Sequence, residues 1–190
     1  MGVKKVNAVL GMILSVACIV HITTQVIFGL THQELGLLAT VPVHICMGTA
    51  VLHILIGFGM IFFLHEGKKT SMYPKENVGT ILQRGSGILM TILMFFHFKL
   101  HKIVLSAGEQ QGMGLFVLCM CVMILFFGTV FLHISVSFTR AMVTLGIITS
   151  RSTKRKIDHV LWVVMGLAFL ASSILLTYAY TNTYHWGGGA

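Results

Sequence analysis

The chain is 190 residues long, 56% hydrophobic and only 9% charged, with a mean hydropathy of +0.90; a soluble domain carries about 25% charged residues, so a water-soluble globule is excluded. One crossing of about 30 Å of hydrocarbon takes roughly 20 residues, so several crossings leave room for short connectors and for no separate soluble domain. The net charge of +8 would suggest nucleic acid in a soluble protein, but here the charges lie between apolar runs, where they label orientation, and no nucleic-acid partner is expected.

Apolar stretches fall at 7–30, 36–64, 80–101, 114–139 (extending toward 148) and 159–180, each long enough to span. The first follows Lys4-Lys5 in the manner of a secretory signal. It runs on to Gly29 without an Ala-x-Ala-like site and is interrupted by His21, which makes it a retained span. A short connector with Glu34 leads to the second span. A polar connector from His65 to Leu82, holding Pro74, leads to the third. The connector after Lys102 contains SAGEQQG, and the last, SRSTKRKID from Ser150 to Asp158, is strongly basic. Counted by side, the N-terminus, the second and fourth connectors and the adjoining helix ends carry Lys4, Lys5, Lys68, Lys69, Lys75, Arg84, Arg140, Arg151, Lys154, Arg155 and Lys156, against Lys99 and Lys102 opposite. The positive-inside rule then gives an all-α, single-domain bundle of five transmembrane helices, N-terminus cytoplasmic and C-terminus outside. Cys18, Cys46, Cys119 and Cys121 all lie in apolar runs and read as small buried hydrophobes; no Cys-x-x-Cys-His is present for covalent haem attachment.

Ten histidines stand beside thirteen Lys+Arg and five Asp+Glu, a high ratio for a chain in lipid. His21 falls on the first span, His44 and His53 on the second, His97 on the third and His133 on the fourth. An imidazole in hydrocarbon needs a partner, and the ordinary one is an interhelical hydrogen bond. One histidine on each of four consecutive helices points further, because bis-His haem ligation takes its ligands from facing helices of a bundle. Small residues four positions away, where they share the helix face, leave room for a flat macrocycle: Ala17 beside His21, Gly57 beside His53 and Ser137 beside His133. Arg140, two turns inward of His133 on nearly the same face, is a candidate for a haem propionate, snorkelling to the interface being its ordinary use. Depth orders the four as His97, His21, His53 and His133 from the outside inward, so His21 and His97 would hold an outer haem b and His53 and His133 an inner one. His44, half a turn around from His53, faces elsewhere and receives no role.

The run QRGSGILMTILMFFH, Gln83 to His97, resembles the third-helix motif of the five-helix, di-haem cytochrome b membrane subunits of succinate:menaquinone oxidoreductases and quinol:fumarate reductases. That pattern is Gln-Arg-x-(Ser/Thr)-Gly with a ligand His thirteen residues after the Arg, a spacing that Arg84 and His97 keep. His133 followed by Gly146-Ile147 and a basic turn looks like the fourth-helix counterpart, and His53-x-x-x-Gly57 and His21 match on the second and first helices. The resemblance extends over essentially the whole chain. It implies a membrane anchor carrying two non-covalent b haems between menaquinone and an iron–sulfur subunit, with a flavoprotein holding the dicarboxylate site. Both partner subunits would dock at the cytoplasmic face of a prokaryotic inner membrane, and the complex is a candidate dimer. It also implies the pairings His21 with His97 and His53 with His133, candidate propionate or inner-face contacts at Arg140, Arg84 and Ser137, and a candidate quinone-site acid at Glu34. The chain departs from the family at Val136-Ser137, where Asn-Gly is frequent, and at Phe131, where some fumarate reductases carry a glutamate implicated in transmembrane proton movement.

Nothing in the chain resembles a flavin fingerprint or an iron–sulfur cysteine set, so the dicarboxylate chemistry belongs to other subunits. The alternatives are a cytochrome b subunit of a hydrogenase or formate dehydrogenase, whose motifs fit the third and fourth helices poorly, and a transporter whose histidines bind a cation. The transporter predicts broken helices and intramembrane acids, whereas no span interior here contains Asp or Glu. A cofactor-free scaffold is the remaining reading.

Overall fold

Lipid offers no partner to a backbone N–H or C=O, so a chain this apolar must satisfy those groups within each segment. The computed structural model describes residues 2–31, 33, 35–63, 74–106 and 113–183. They form α1 (Val3–Thr31), α2 (Leu37–Phe62), α3 (Pro74–Ser106), α4 (Met113–Thr144) and α5 (Arg151–Thr183), with no strand among the described residues. All five are long and apolar enough to cross a membrane, and the chain is an all-α, multi-pass membrane protein. The same rule governs the side chains. Hydroxyls of Ser15, Thr49, Thr91 and Ser135 each donate to the carbonyl four residues back, the one acceptor a helix in lipid reliably provides.

The helices outrun the apolar stretches. Pro74 opens α3, six residues before the expected start, at the first helical position where its missing N–H forfeits no bond. The basic SRSTKRKID segment, expected as a connector, is the first part of α5. Ser150 caps it, its Oγ accepting the Thr153 N–H at 3.0 Å, and Lys154 pairs with Asp158 one turn on. Hydropathy ends where water begins, but a capped and ion-paired helix continues. Conversely α4 stops at Thr144 rather than running toward 148. Gly146 takes φ +80°, its N–H bonds Val143 O at 3.0 Å, and the Ile147 N–H reaches back to Met142 O at 2.9 Å, the paired bonds of a glycine-terminated helix.

α1 and α4 pack together at the centre; α2 lies on α1, α3 on α4, and α5 covers both central helices. The core follows from this: Val130, Phe131 and Ile134 of α4 and Met165 of α5 are buried together, with Cys18 and Ile22 of α1 and Met90 of α3 against them. Leu55, Phe62, Phe95, Val160 and Ile174 point outward, where acyl chains cover them. Of the cysteines, Cys119 is buried and Cys18 and Cys46 are half-buried, but Cys121 is exposed, contrary to expectation; all four are free thiols.

Candidate functional site between α2 and α4

α2 and α4 each send one imidazole toward the other. The His53 and His133 rings lie with centroids 6.4 Å apart, at 78° to one another. Each ring is held by its Nδ1 edge. His53 Nδ1 lies 3.2 Å from the Asn7 carbonyl of α1; a carbonyl only accepts, so Nδ1 carries the proton. His133 Nδ1 lies 3.0 Å from Ser86 Oγ of α3. Ser86 Oγ also meets the Leu82 carbonyl at 2.6 Å and the Gln83 carbonyl at 3.2 Å; with its one hydrogen given to either, Oγ accepts from His133. Both imidazoles therefore present a bare Nε2 lone pair. Among the described residues no three or more His, Cys, Asp or Glu converge, so the donor set here is the two nitrogens.

Two glycines bring the helices close enough for this. A Cβ on Gly11 of α1 would stand 3.1 Å from His53 Cε1, and one on Gly87 of α3 would stand 3.2 Å from His133 Cε1. Gly57, expected to leave room beside His53, faces open space within 4 Å. Two buried polar atoms lie near the pair without a hydrogen bond: Ser137 Oγ, one turn inward of His133, and Asn7 Oδ1, on the residue whose carbonyl holds His53. A buried hydroxyl or amide oxygen so left is costly and marks a place for a polar group of a ligand.

Arg140 turns toward α3. Its Nη1 donates to Thr80 Oγ1 at 2.9 Å and to Gln83 Oε1 at 3.1 Å, and its Nη2 lies over Gly79, where a Cβ would come within 2.5 Å. The guanidinium is thus pinned to α3, with Nε and Nη2 free of hydrogen bonds among the described residues. Arg84 is half-buried and makes no hydrogen bond among them.

The outer histidines are held differently. His97 Nδ1 meets Met123 Sδ of α4 at 3.2 Å, and its ring stacks on Phe126 with centroids 5.1 Å apart. The depth order pairs His97 with His21 of α1; Met123 and Phe126 of α4 lie against its ring. His21 is half-buried on α1, and its carbonyl accepts from Thr24 Oγ1 at 2.9 Å. His44 is exposed and bonds the Thr40 carbonyl at 2.9 Å, in keeping with its lack of a role. Glu34 lies outside the described residues.

The two ring centres stand 6.4 Å apart, a spacing at which His53 and His133 would hold a metal-centred group such as a b haem through Nε2. Nδ1–H bonds to oxygen acceptors are the usual support of a metal-bound imidazole. Sequence reasoning found the histidines but missed Asn7, Gly11, Gly79, Thr80, Ser86, Gly87 and Met123. Ser86 and Gly87 stood in the quoted third-helix run, assigned to the outer histidine downstream; the Ser86 hydroxyl and the bare backbone of Gly87 face His133 instead. Gln83 of the same run serves Arg140. Asn7 acts through its backbone, for which no side-chain signal exists.

The fold and the site define a five-helix membrane bundle with a paired-imidazole centre. Set against family models, curated proteins and solved structures, the chain has no match in any of the three.

Proposed function

We propose that this chain is the membrane anchor and electron-transfer subunit of a succinate:quinone oxidoreductase or quinol:fumarate reductase. It lies in a prokaryotic inner membrane beneath a flavoprotein and an iron–sulfur subunit. The observation that carries the reading is the His53–His133 pair, with both Nδ1 edges tied to acceptors; the resemblance of the Gln83–His97 run and of the His133–Gly146 segment supplies the complex around it. Haem b, when bound, supplies a one-electron iron couple that links menaquinone to the iron–sulfur clusters. The chain's residues hold and orient it. His53 and His133 offer Nε2 at the inner site, and His21 and His97 at the outer one. Ser137 and Arg140 offer polar contacts on the inner side. The apolar walls of α1 and α4 keep water from both.

The test is the complex purified from its own membrane. The expected results are a b-type band on dithionite reduction, two haems per chain, and co-purifying flavoprotein and iron–sulfur subunits. His53→Ala, His133→Ala or His97→Ala should each remove one haem. Full haem content in the His97→Ala protein, or a wild-type complex with no b-type band, overturns the reading. A bandless protein that takes up a divalent cation into vesicles would point to the transporter instead.

A further inference from the structure

We propose that Ser86 is the positioning residue of the inner centre and sets its reduction potential through His133; the inference rests on the haem reading above. Ser86 is 4% exposed, so no water competes for its oxygen. Its hydroxyl meets the Leu82 and Gln83 carbonyls at 2.6 and 3.2 Å, and with its one proton given to either, its oxygen faces His133 Nδ1 at 3.0 Å as an acceptor. The hydroxyl is therefore a fixed, one-way acceptor. An acceptor at Nδ1–H makes an imidazole more basic at Nε2 and locks its tautomer and orientation. A more basic nitrogen favours the ferric over the ferrous iron, so Ser86 holds the inner couple low.

Three of the proposed ligand imidazoles differ in what their Nδ1 meets: a backbone carbonyl for His53, a hydroxyl for His133 and a thioether, a weak acceptor, for His97. Asn7 holds His53 through its main chain and cannot be removed by substitution. Ser86 is thus the place where the inner centre can be detuned without touching a ligand. Gly87 lies against the same ring, and the Gln83 carbonyl is a second acceptor for it.

The experiment is a potentiometric titration of both haem bands, with the ferric EPR signal, on the assembled complex of wild type, Ser86→Ala and Ser86→Thr. In S86A the inner couple should shift toward the ferrous form by roughly tenfold, about 59 mV for one electron, with the outer couple unmoved. S86T keeps an acceptor oxygen and should retain the wild-type potential. An unchanged inner couple in S86A overturns the proposal, and so does an equal shift of both couples, which marks general loosening. Should S86A fail to assemble, Ser86→Cys, whose sulfur accepts poorly, carries the same test, and a wild-type inner couple there overturns it. A wild-type complex without haem overturns the functional reading itself, and this inference with it; haem in the wild type with no response in the variants overturns this inference alone.

Discussion

An imidazole has two nitrogens, and what it can do depends on which one its surroundings leave bare. At His53 and His133 the answer is set by atoms that carry no charge: a carbonyl and a hydroxyl whose own proton is already spoken for. The rings reach these atoms only because Gly11 and Gly87 let the helices approach. Gly87→Val should therefore displace His133 from Ser86 and, on the proposed di-haem reading, lower haem content from two per chain to one, while Gly48→Ala, where a Cβ meets nothing within 4 Å, should leave it unchanged. Pyridine haemochrome quantitation on the purified complexes reads the difference, and two haems in the Gly87→Val protein would contradict the tight packing on which the site depends. The histidines were legible in the sequence because a polar ring in hydrocarbon demands a reason. The glycines were not, because their role arises from close approach of α1 to α2 and of α3 to α4. Nor was the pinning of Arg140: the same charge at a helix end reads as snorkelling until Thr80 and Gln83 are known to face it.

Between elements, the polar contacts are few and concentrated where helices must not slide. Thr139 of α4, 1% exposed, donates to the Asp158 carboxylate of α5, whose other oxygen takes Lys154. This ties α4 to α5 beside the residue, Arg140, that ties α4 to α3. Removing the hydroxyl leaves a partly buried carboxylate short of a donor, which costs about 2 kcal/mol. Thr139→Val, nearly the same shape, should lower unfolding free energy in mixed micelles by that amount. Thr144→Val, which removes an exposed hydroxyl bonded only to its own helix, should have little effect. Equal midpoints for the two variants would show that the Thr139–Asp158 contact adds nothing. The start of α5 shows why hydropathy misplaced this boundary. Its opening turns are held by the Ser150 cap and the Lys154–Asp158 pair, interactions that belong to water and leave no apolar trace.

For the molecule as a whole, the contacts fix which helix ends share a side. Asn7 near the start of α1 meets His53 in the second half of α2, Thr80 near the start of α3 meets Arg140 near the end of α4, and Thr139 meets Asp158 near the start of α5. That common side carries Lys4, Lys5, Arg84, Arg140, Arg151, Lys154, Arg155 and Lys156, whereas Lys99 sits toward the other. Basic residues close to span ends are retained on the cytoplasmic side, so this side should face the cytoplasm and place the His53–His133 pair nearer to it than His97. A C-terminal alkaline phosphatase fusion should then be active and a C-terminal GFP fusion dark. Changing Lys4, Lys5, Arg151, Arg155 and Lys156 together to Gln removes charge from both the first span, which usually dominates orientation, and the last. It leaves Lys154 to Asp158 and Arg140 to α3. The phosphatase signal should fall in part and some GFP fluorescence appear, because the bias drops from eleven against two to six against two. Bright GFP on the unaltered chain would invert the orientation, setting the inner pair at the outer face and removing the physical basis for a cytoplasmic electron partner beside it.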